Sequence, residues 1–385
     1  MSSTKALLLL LLLVTAACGS GSGAAGSAPG DADLVLAVAN DPSSPASARV
    51  FRWTGGRLEE ANLPPLDESL ALDVTWASPT EAWVPILAGG VTRLLRSDDG
   101  GRTFAPSGID LPPELARSSL FHFTADAVWT TGIADVFVGS AGVLPLVTSL
   151  WASTDSGTTW QRRWRFEGLG VQLGNLEFAR RGGRDEVWYE RAGEGGPSLL
   201  LDLASGDREP IETPPFVPTR YTAAGDLGFL VGYLPQFPDP DLPAIATARR
   251  GETWALDPIP GSPSPPPLLV LVDFVDEQRG VTCGLRREWV DDRSVVRGIG
   301  CFVTADGGAT WAFFEPLAGG ELGVEDLAYT RQGEVLIAAR TGVGAPGEGR
   351  AVLLVGRPDG GAFREYPLAG WVGARLARSS AAPAR

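Results

Sequence analysis

Chemistry in this chain would have to come from a short list of side chains. Its only histidine, His122, lies in Ser119-Leu120-Phe121-His122-Phe123, beside apolar residues. A serine–histidine–aspartate triad through it lacks the G-x-S-x-G turn that would hold the serine. A histidine-based zinc site lacks its other ligands. His122 therefore reads as a structural residue. Carboxylates are the second source. Asp73, Asp126, Glu177, Asp273 and Asp326 fall at or beside short apolar runs. Gathered round a channel, they could act as acid and base on a glycosidic bond. Left as strand ends of an acidic protein, they would only be solvated. No D-x-D-x-D loop is present to hold a hard cation. No catalytic residue, metal or cofactor is assigned.

Two further sets could bind rather than react. Arg162, Arg163 and Arg165 flank Trp164, and Arg180, Arg181 and Arg184 follow in the next stretch. In a chain of formal net charge −14, such a set could hold an anionic or protein partner through bidentate contacts. Pairing with nearby acids is the alternative. Of three cysteines, Cys283 and Cys301 sit in strand-like runs, 281–290 and 294–303, on either side of Asp291-Asp292-Arg293. Folding that hairpin about Asp292 sets Cys283 opposite Cys301. In an oxidising compartment this gives a cross-strand disulfide; a redox-active pair is the weaker reading, because the CxxC spacing is absent.

The elements that position these residues announce themselves as a repeat. Ser97, Asp99, Gly101, Thr103 and Phe104 recur as Ser153, Asp155, Gly157, Thr159 and Trp160, and again as Thr304, Asp306, Gly308, Thr310 and Trp311. The template is S/T-x-D-x-G-x-T-W/F. A fourth copy, Thr247 to Trp254, carries Arg249 where the aspartate should be. The spacing builds a turn. The aspartate accepts backbone N–H groups ahead of it, glycine supplies positive φ, and the ring starts the next strand. This pattern resembles the Asp-box (BNR-type) repeat of the sialidase, sortilin and photosystem II assembly factor-like propellers. The resemblance implies an all-β fold, a β-propeller, with each box joining the two outer strands of a blade, away from the ligand face. These aspartates are then structural.

A second register supports the blade count. Trp76, Trp129, Phe178, Tyr221, Phe274 and Tyr329 are separated by 53, 49, 43, 53 and 55 residues, which suits four strands per blade. Each is expected to end an inner strand, giving six blades. The segments 34–38, 49–53 and 58–63 add three strands without an inner one. The run 371–376 is expected to complete them, giving seven four-stranded blades with ring closure by a C-terminal strand. Proline-rich segments 235–243 and 258–267 should be stiff, irregular loops.

The front end reads as an address. Lys5 precedes an apolar run, residues 6–14, too short to span a bilayer. It ends in Thr15-Ala16-Ala17-Cys18, which resembles the lipobox of bacterial lipoproteins. The resemblance implies cleavage before Cys18 and lipidation of its sulfur. An ordinary secretory signal with a chance cysteine is the alternative. The expected organisation is a signal peptide over 1–17, lipidated Cys18 and a Gly/Ser/Ala tether over 18–32, a propeller over 33–378 and a tail over 379–385. The location is the cell envelope, at the outer membrane or cell surface rather than the inner membrane, since Gly19 is not the retention aspartate.

Function follows from composition only by exclusion. The acidic balance disfavours nucleic acid and anionic lipid as partners, leaving the Cys18 lipid as the membrane contact. The expected role is a non-catalytic binding or assembly module for an envelope protein or glycan, working as a monomer. The alternative is a sialidase-like or other glycoside hydrolase. Against it, no Arg-Ile-Pro occurs, and no nucleophile pair can be assigned among the five tyrosines.

Overall fold

The computed structural model describes residues 13–16 and 34–379, apart from 41–47, 55, 67–68, 79, 125–126, 138–142, 167–170, 192–197, 214, 237–240, 262, 291–292, 320–321, 342–349, 369–375 and 377. Cys18, the tether and the tail beyond Ser379 lie outside the described residues. The only helical element among the described residues is one 3-10 turn, Pro113–Leu115, and no helix is long and apolar enough to cross a membrane.

Strands follow in chain order. A short one, β1 (Leu13–Ala16), precedes the first blade, which holds β2 (Leu34–Asn40), β3 (Ala48–Thr54) and β4 (Arg57–Glu60). Blade two begins with a broken inner strand, β5 (Ser69–Ala71) and β6 (Thr75–Trp76), then β7 (Ala82–Ala88), β8 (Val91–Ser97) and β9 (Ala105–Pro106). Blade three is β10 (Phe121–Phe123), β11 (Val128–Phe137), β12 (Val143–Ser153) and β13 (Gln161–Arg165). Blade four is β14 (Val171–Arg181), β15 (Arg184–Arg191), β16 (Ser198–Asp202) and β17 (Arg208–Ile211). Blade five is β18 (Val217–Ala224), β19 (Leu227–Leu234), β20 (Leu242–Arg249) and β21 (Ala255–Pro258). Blade six is β22 (Pro267–Phe274), β23 (Gly280–Val290), β24 (Arg293–Thr304) and β25 (Ala312–Ala318). Blade seven is β26 (Leu322–Tyr329), β27 (Val335–Thr341), β28 (Arg350–Gly356) and β29 (Arg364–Leu368), and β30 (Arg378–Ser379) follows. Within every blade, sequential neighbours pair antiparallel.

The blades form a ring because each buries one face against the next. Seven apolar clusters lie at seven interfaces. Leu36 meets Trp76 and Ile86 between blades one and two. Trp83 stacks on Phe123 at 4.8 Å between two and three. Leu150 meets Tyr189, Trp188 meets Tyr221, and Phe229 stacks on Phe274 at 3.6 Å at the next three. Cys283 packs with Tyr329 and Ile337 between six and seven. Phe51 and Trp53 pack with Leu336 and Leu353 between seven and one, closing the circle. The chain is thus an all-β propeller of seven blades. Non-directional burial of aromatic and branched side chains is what holds the blades together.

One expectation needs correction. Trp129 does not end an inner strand; it lies in β11, the second strand of blade three, opposite His122 of β10. The inner strand is the three-residue Phe121-His122-Phe123, so Phe123 holds the position that Trp76 and Tyr329 hold elsewhere. Most of the run 371–376, expected to complete blade one, lies outside the described residues; besides β3, β2 has one further partner among the described residues. It is β1, with Leu13 opposite Ala37 and Val14 opposite Leu36. β30 runs parallel along the other side of β1. The exposed edge of β2 needs a partner, and in the full chain an apolar N-terminal segment supplies it.

In blade six, Cys283 faces Cys301 across β23 and β24, with the sulfurs bonded at 2.03 Å and both residues buried. The hairpin turns one residue tighter than expected, since Val290 pairs with Arg293. A bulge between Arg286 and Arg287 then shifts the register and brings the cysteines level.

Candidate functional site

The three intact repeats share one hydrogen-bond pattern. In blade three, the Ser153 hydroxyl donates to Asp155 Oδ1 at 2.7 Å and accepts the Gly157 N–H at 2.7 Å. Asp155 Oδ1 accepts the Thr159 N–H at 2.8 Å, and Oδ2 accepts its hydroxyl at 2.6 Å. Blade two repeats this with Ser97, Asp99, Gly101 and Thr103. Blade six repeats it with Thr304, Asp306, Gly308 and Thr310. The Thr159 hydroxyl and amide hold the Asp155 carboxyl down at about 2. Burial pushes Asp99 upward, but the Thr103 hydroxyl and amide outweigh it and leave it at about 2. Each turn joins the third and fourth strands of its blade, and its aspartate is saturated by its own turn. Phe104 is buried, while Trp160 and Trp311 are half-buried beside the neighbouring cores.

Blade five solves the missing aspartate differently. Arg249, in the aspartate's place, turns outward and meets Glu277 of blade six at 2.8 Å. Arg250 turns the other way and pairs with Asp202 of blade four. Beneath them lies a buried cluster. Arg181, at 1% side-chain exposure, has Nε 3.1 Å from Glu186 Oε1 and Nη2 2.9 Å from Glu209 Oε2. Its Nη1 donates to the Ala248 carbonyl at 3.4 Å, and its guanidinium stands 5.7 Å from the Trp254 ring. Tyr221 donates its hydroxyl to Glu186. Burial raises the Glu186 carboxyl, and the Arg181 charge draws it partly back. Burial and the Glu186 charge raise the Tyr221 hydroxyl well above its usual value.

The inner-strand carboxylates are also engaged. Asp73 Oδ1 accepts the Val74 N–H at 2.8 Å, and Oδ2 accepts the Phe121 N–H of blade three at 3.3 Å. Asp273 Oδ2 accepts the Tyr329 N–H of blade seven at 2.8 Å. Asp326 Oδ1 accepts the Leu327 N–H at 2.9 Å, and Oδ2 the Leu376 N–H at 2.5 Å. Glu177 pairs with Arg220 of blade five. Asp126 lies outside the described residues. His122 stacks on Phe178 at 5.3 Å, its Nε2 3.5 Å from Asp185. These groups tie blade to blade. Among the described residues no cluster of three or more His, Cys, Asp or Glu could hold a metal ion.

The six arginines do not form one patch. Strand side chains alternate between faces, so Arg180 is exposed, bonded to the Gly183 carbonyl at 3.2 Å, while its neighbour Arg181 is sunk in the cluster above. Arg184 reaches Asp202 at 3.6 Å. Arg162, Arg163 and Arg165 stay together on β13, the outer strand of blade three, and all three are exposed. Among the described residues no acid forms an ion pair with them. Among the described residues the β13 strand bonds only to β12, which leaves its outer edge open there.

Behind this ridge lies a groove of about 410 Å³ between blades three and four, lined by Trp129, Arg163, Trp164, Leu201, Leu203 and the turn Ala204–Gly206 among others. Arg208 of blade four stands 4.6 Å from the Trp164 ring, and Arg162 stands 5.7 Å from Trp151. The groove's one acid among its described lining, Asp202, stays ionised and is offset by Arg250 and Arg184: burial pushes its carboxyl up, but the Ser205 amide and Arg250 hold it at about 2. The surface therefore combines an aromatic trough, an open strand edge and a cationic rim. Sequence reading found the ridge but missed Arg208 and Trp129 as its companions. Arg208 is over forty residues away, and only blade-to-blade packing brings it there.

No protein-family model matches the chain, and no curated protein matches it. Among solved structures it is similar to YCF48 bound to D1 peptide, at 18% identity over 85% of this chain and 86% of that one, with a TM-score of 0.46. It is also similar to TolB from Acinetobacter baumannii, at 11% identity, over 89% of this chain and 65% of that one, again with a TM-score of 0.46. The chain thus spans just under two thirds of that TolB.

Proposed function

We propose that this chain is an exported, lipid-anchored propeller that works as a binding or assembly module, docking an acidic segment of an envelope protein on the ridge and groove of blade three. The observation that carries this is the edge strand β13. Its three exposed arginines lack an acidic partner among the described residues, in a chain of net charge −14. In such a chain, acids to pair with are abundant, so a cationic edge left unpaired fits an anionic partner. An extended segment added to the open edge would gain main-chain hydrogen bonds. Its acidic side chains would meet Arg163 and Arg165, and an apolar one would fill the trough at Trp129 and Trp164. Lipidation at Cys18 and the 18–32 tether would present this surface at the envelope.

The glycoside hydrolase reading has less support. Asp73, Asp273 and Asp326 accept backbone amides of neighbouring elements, and Glu177 is held by Arg220. A catalytic pair needs carboxylates free to exchange protons across a sugar.

The test is crosslinking of the anchored protein in its own cells, purification, and identification of what accompanies it by mass spectrometry. A near-stoichiometric envelope protein is expected, and Arg163→Glu with Arg165→Glu should abolish its capture. Capture unchanged by the double reversal would remove the ridge from the mechanism. Retention of glycan with no protein would overturn the protein-partner reading.

A further inference from the structure

The outermost strand of a sheet offers its unpaired N–H and C=O groups to any passing strand unless something blunts it. Five of the seven outer strands carry a proline: Pro106 in β9, Pro210 in β17, Pro258 in β21, Pro316 in β25 and Pro367 in β29. Each ring takes away a main-chain donor and crowds an approaching strand. In blade one, β4 has no proline, but its chain runs on into blade two. There the Asn62 N–H bonds the Arg102 carbonyl, and the Asn62 carbonyl takes the Phe104 N–H. Its Glu59 and Glu60 are paired with Arg57 and Arg49.

β13 has neither device. Gln161–Arg165 contains no proline, and nothing among the described residues pairs with its outer side. Phe166, the next residue, turns its N–H inward to the Thr148 carbonyl. Main-chain groups alternate sides along an antiparallel strand, so the N–H and C=O of Arg165 point to the open side. A register shift opposite Leu150 and Trp151 leaves Arg163 as an extra residue without a partner on β12. Such a bulge re-aims a side chain, and Arg163 accordingly lines the groove together with its chain neighbour Trp164. What guards this edge is charge, since Arg162, Arg163 and Arg165 are exposed. Proline refuses every strand. Charge refuses only strands that cannot neutralise it, because opposite charges attract across a strand pair and like charges repel.

We infer that β13 is the strand-addition site of this propeller, and that its arginines select what is added: an extended partner segment alternating carboxylates with apolar side chains. The inference rests on the docking reading above and adds to it the mode of binding and the sequence pattern of the segment. Carboxylates on the added strand meet Arg163 and Arg165, its apolar residues meet Trp164, and its main chain bonds to Arg165.

The full-length protein is titrated with a labelled, end-capped peptide that alternates glutamate and valine, and binding is followed by fluorescence anisotropy. The peptide should bind and should slow hydrogen exchange across residues 161–166. Two further peptides are N-methylated, one at its valines and one at its glutamates, because only one set of amides can face β13. Both keep every charge, and at least one should bind about ten-fold more weakly or worse. Glutamine in place of glutamate should weaken binding by about ten-fold. Arg165→Pro, which gives β13 the block that β17 and β29 carry, should weaken it by about ten-fold or more, and by more than Arg165→Gln does. Equal affinity for the parent and both N-methylated peptides overturns strand addition, whether or not Arg165→Pro folds. Equal affinity for the glutamine peptide overturns selection by charge, and no binding of the glutamate peptide overturns both. Docking by charge alone would pass the cellular capture test and fail here, so the two failures are told apart.

Discussion

Replacing Arg181 by Met gives the sharpest test of how blades four and five are joined. Met fills much of the arginine's volume, so the change isolates charge and hydrogen bonding from packing. It removes the bonds to Glu186, Glu209 and the Ala248 carbonyl, and the cation over Trp254. Glu186, almost wholly buried, is left with Tyr221 alone. Removing one partner of a buried ion pair costs about 3–5 kcal/mol. For a propeller of this length that lowers the melting temperature by about 4–7 °C. The loss must also depend on pH. Burial already raises the Glu186 carboxyl, and Arg181 is what draws it back. Without Arg181 it rises further, and a group raised by folding contributes stability below its unfolded value and loses it as pH rises through its folded value. The penalty should therefore be smallest near pH 5 and grow towards pH 8. Adding Glu186→Leu should recover most of the loss. The assay is urea unfolding at both pH values. A loss under about 1 kcal/mol at pH 8, or a penalty indifferent to pH, would refute the reasoning.

Other expectations concern single turns and strands. Ser156 is the one non-glycine residue with positive φ among the described residues, at 56°, where the other intact boxes have Gly100 and Gly307; Ser156→Gly should stabilise by about 1 kcal/mol in thermal melts. A methyl group added to Gly284 would overlap the Leu268 carbonyl beside the inner-strand bulge. Gly284→Ala should accordingly cost about 3 kcal/mol in urea unfolding. Folding depresses the carboxyls of Asp99 and Asp155 to about 2. Their stabilisation is present above the unfolded value of about 4 and is lost as pH falls through about 2. Melting temperature should fall across that window, and Thr159→Val, which removes one of the bonds that hold Asp155 down, should shift the fall to higher pH.

Much of the fold was legible because the repeat is a local device. Serine, aspartate, glycine and threonine in each box bond to one another, so their spacing alone specifies the turn. The Cys283–Cys301 pairing was legible for the same reason, since a hairpin's register follows from its turn, although the tighter turn and compensating bulge were not. Blade three misled because its inner strand is only three residues, Phe121 to Phe123, and the larger Trp129 on the next strand outweighed it. Arg180 and Arg181 look alike in sequence. Alternation along β14 would have separated them, since neighbours on a strand face opposite ways. Nothing local marks Arg208 as Trp164's partner, because that contact exists only once two blades have packed.

The arms of Arg249 and Arg250 carry a consequence for how this architecture can vary. A clamp contained in its own turn travels with its blade wherever that blade is copied. Blade five has surrendered that independence: its turn is held from blade six on one side and blade four on the other. Blades three and six are interchangeable parts in this respect, and duplication or transplantation would carry their fastenings along, whereas the turn of blade two is also held by Arg52 and Asn62 of blade one. Blade five is a keystone cut to its neighbours, and fixes which blades must stand on either side of it.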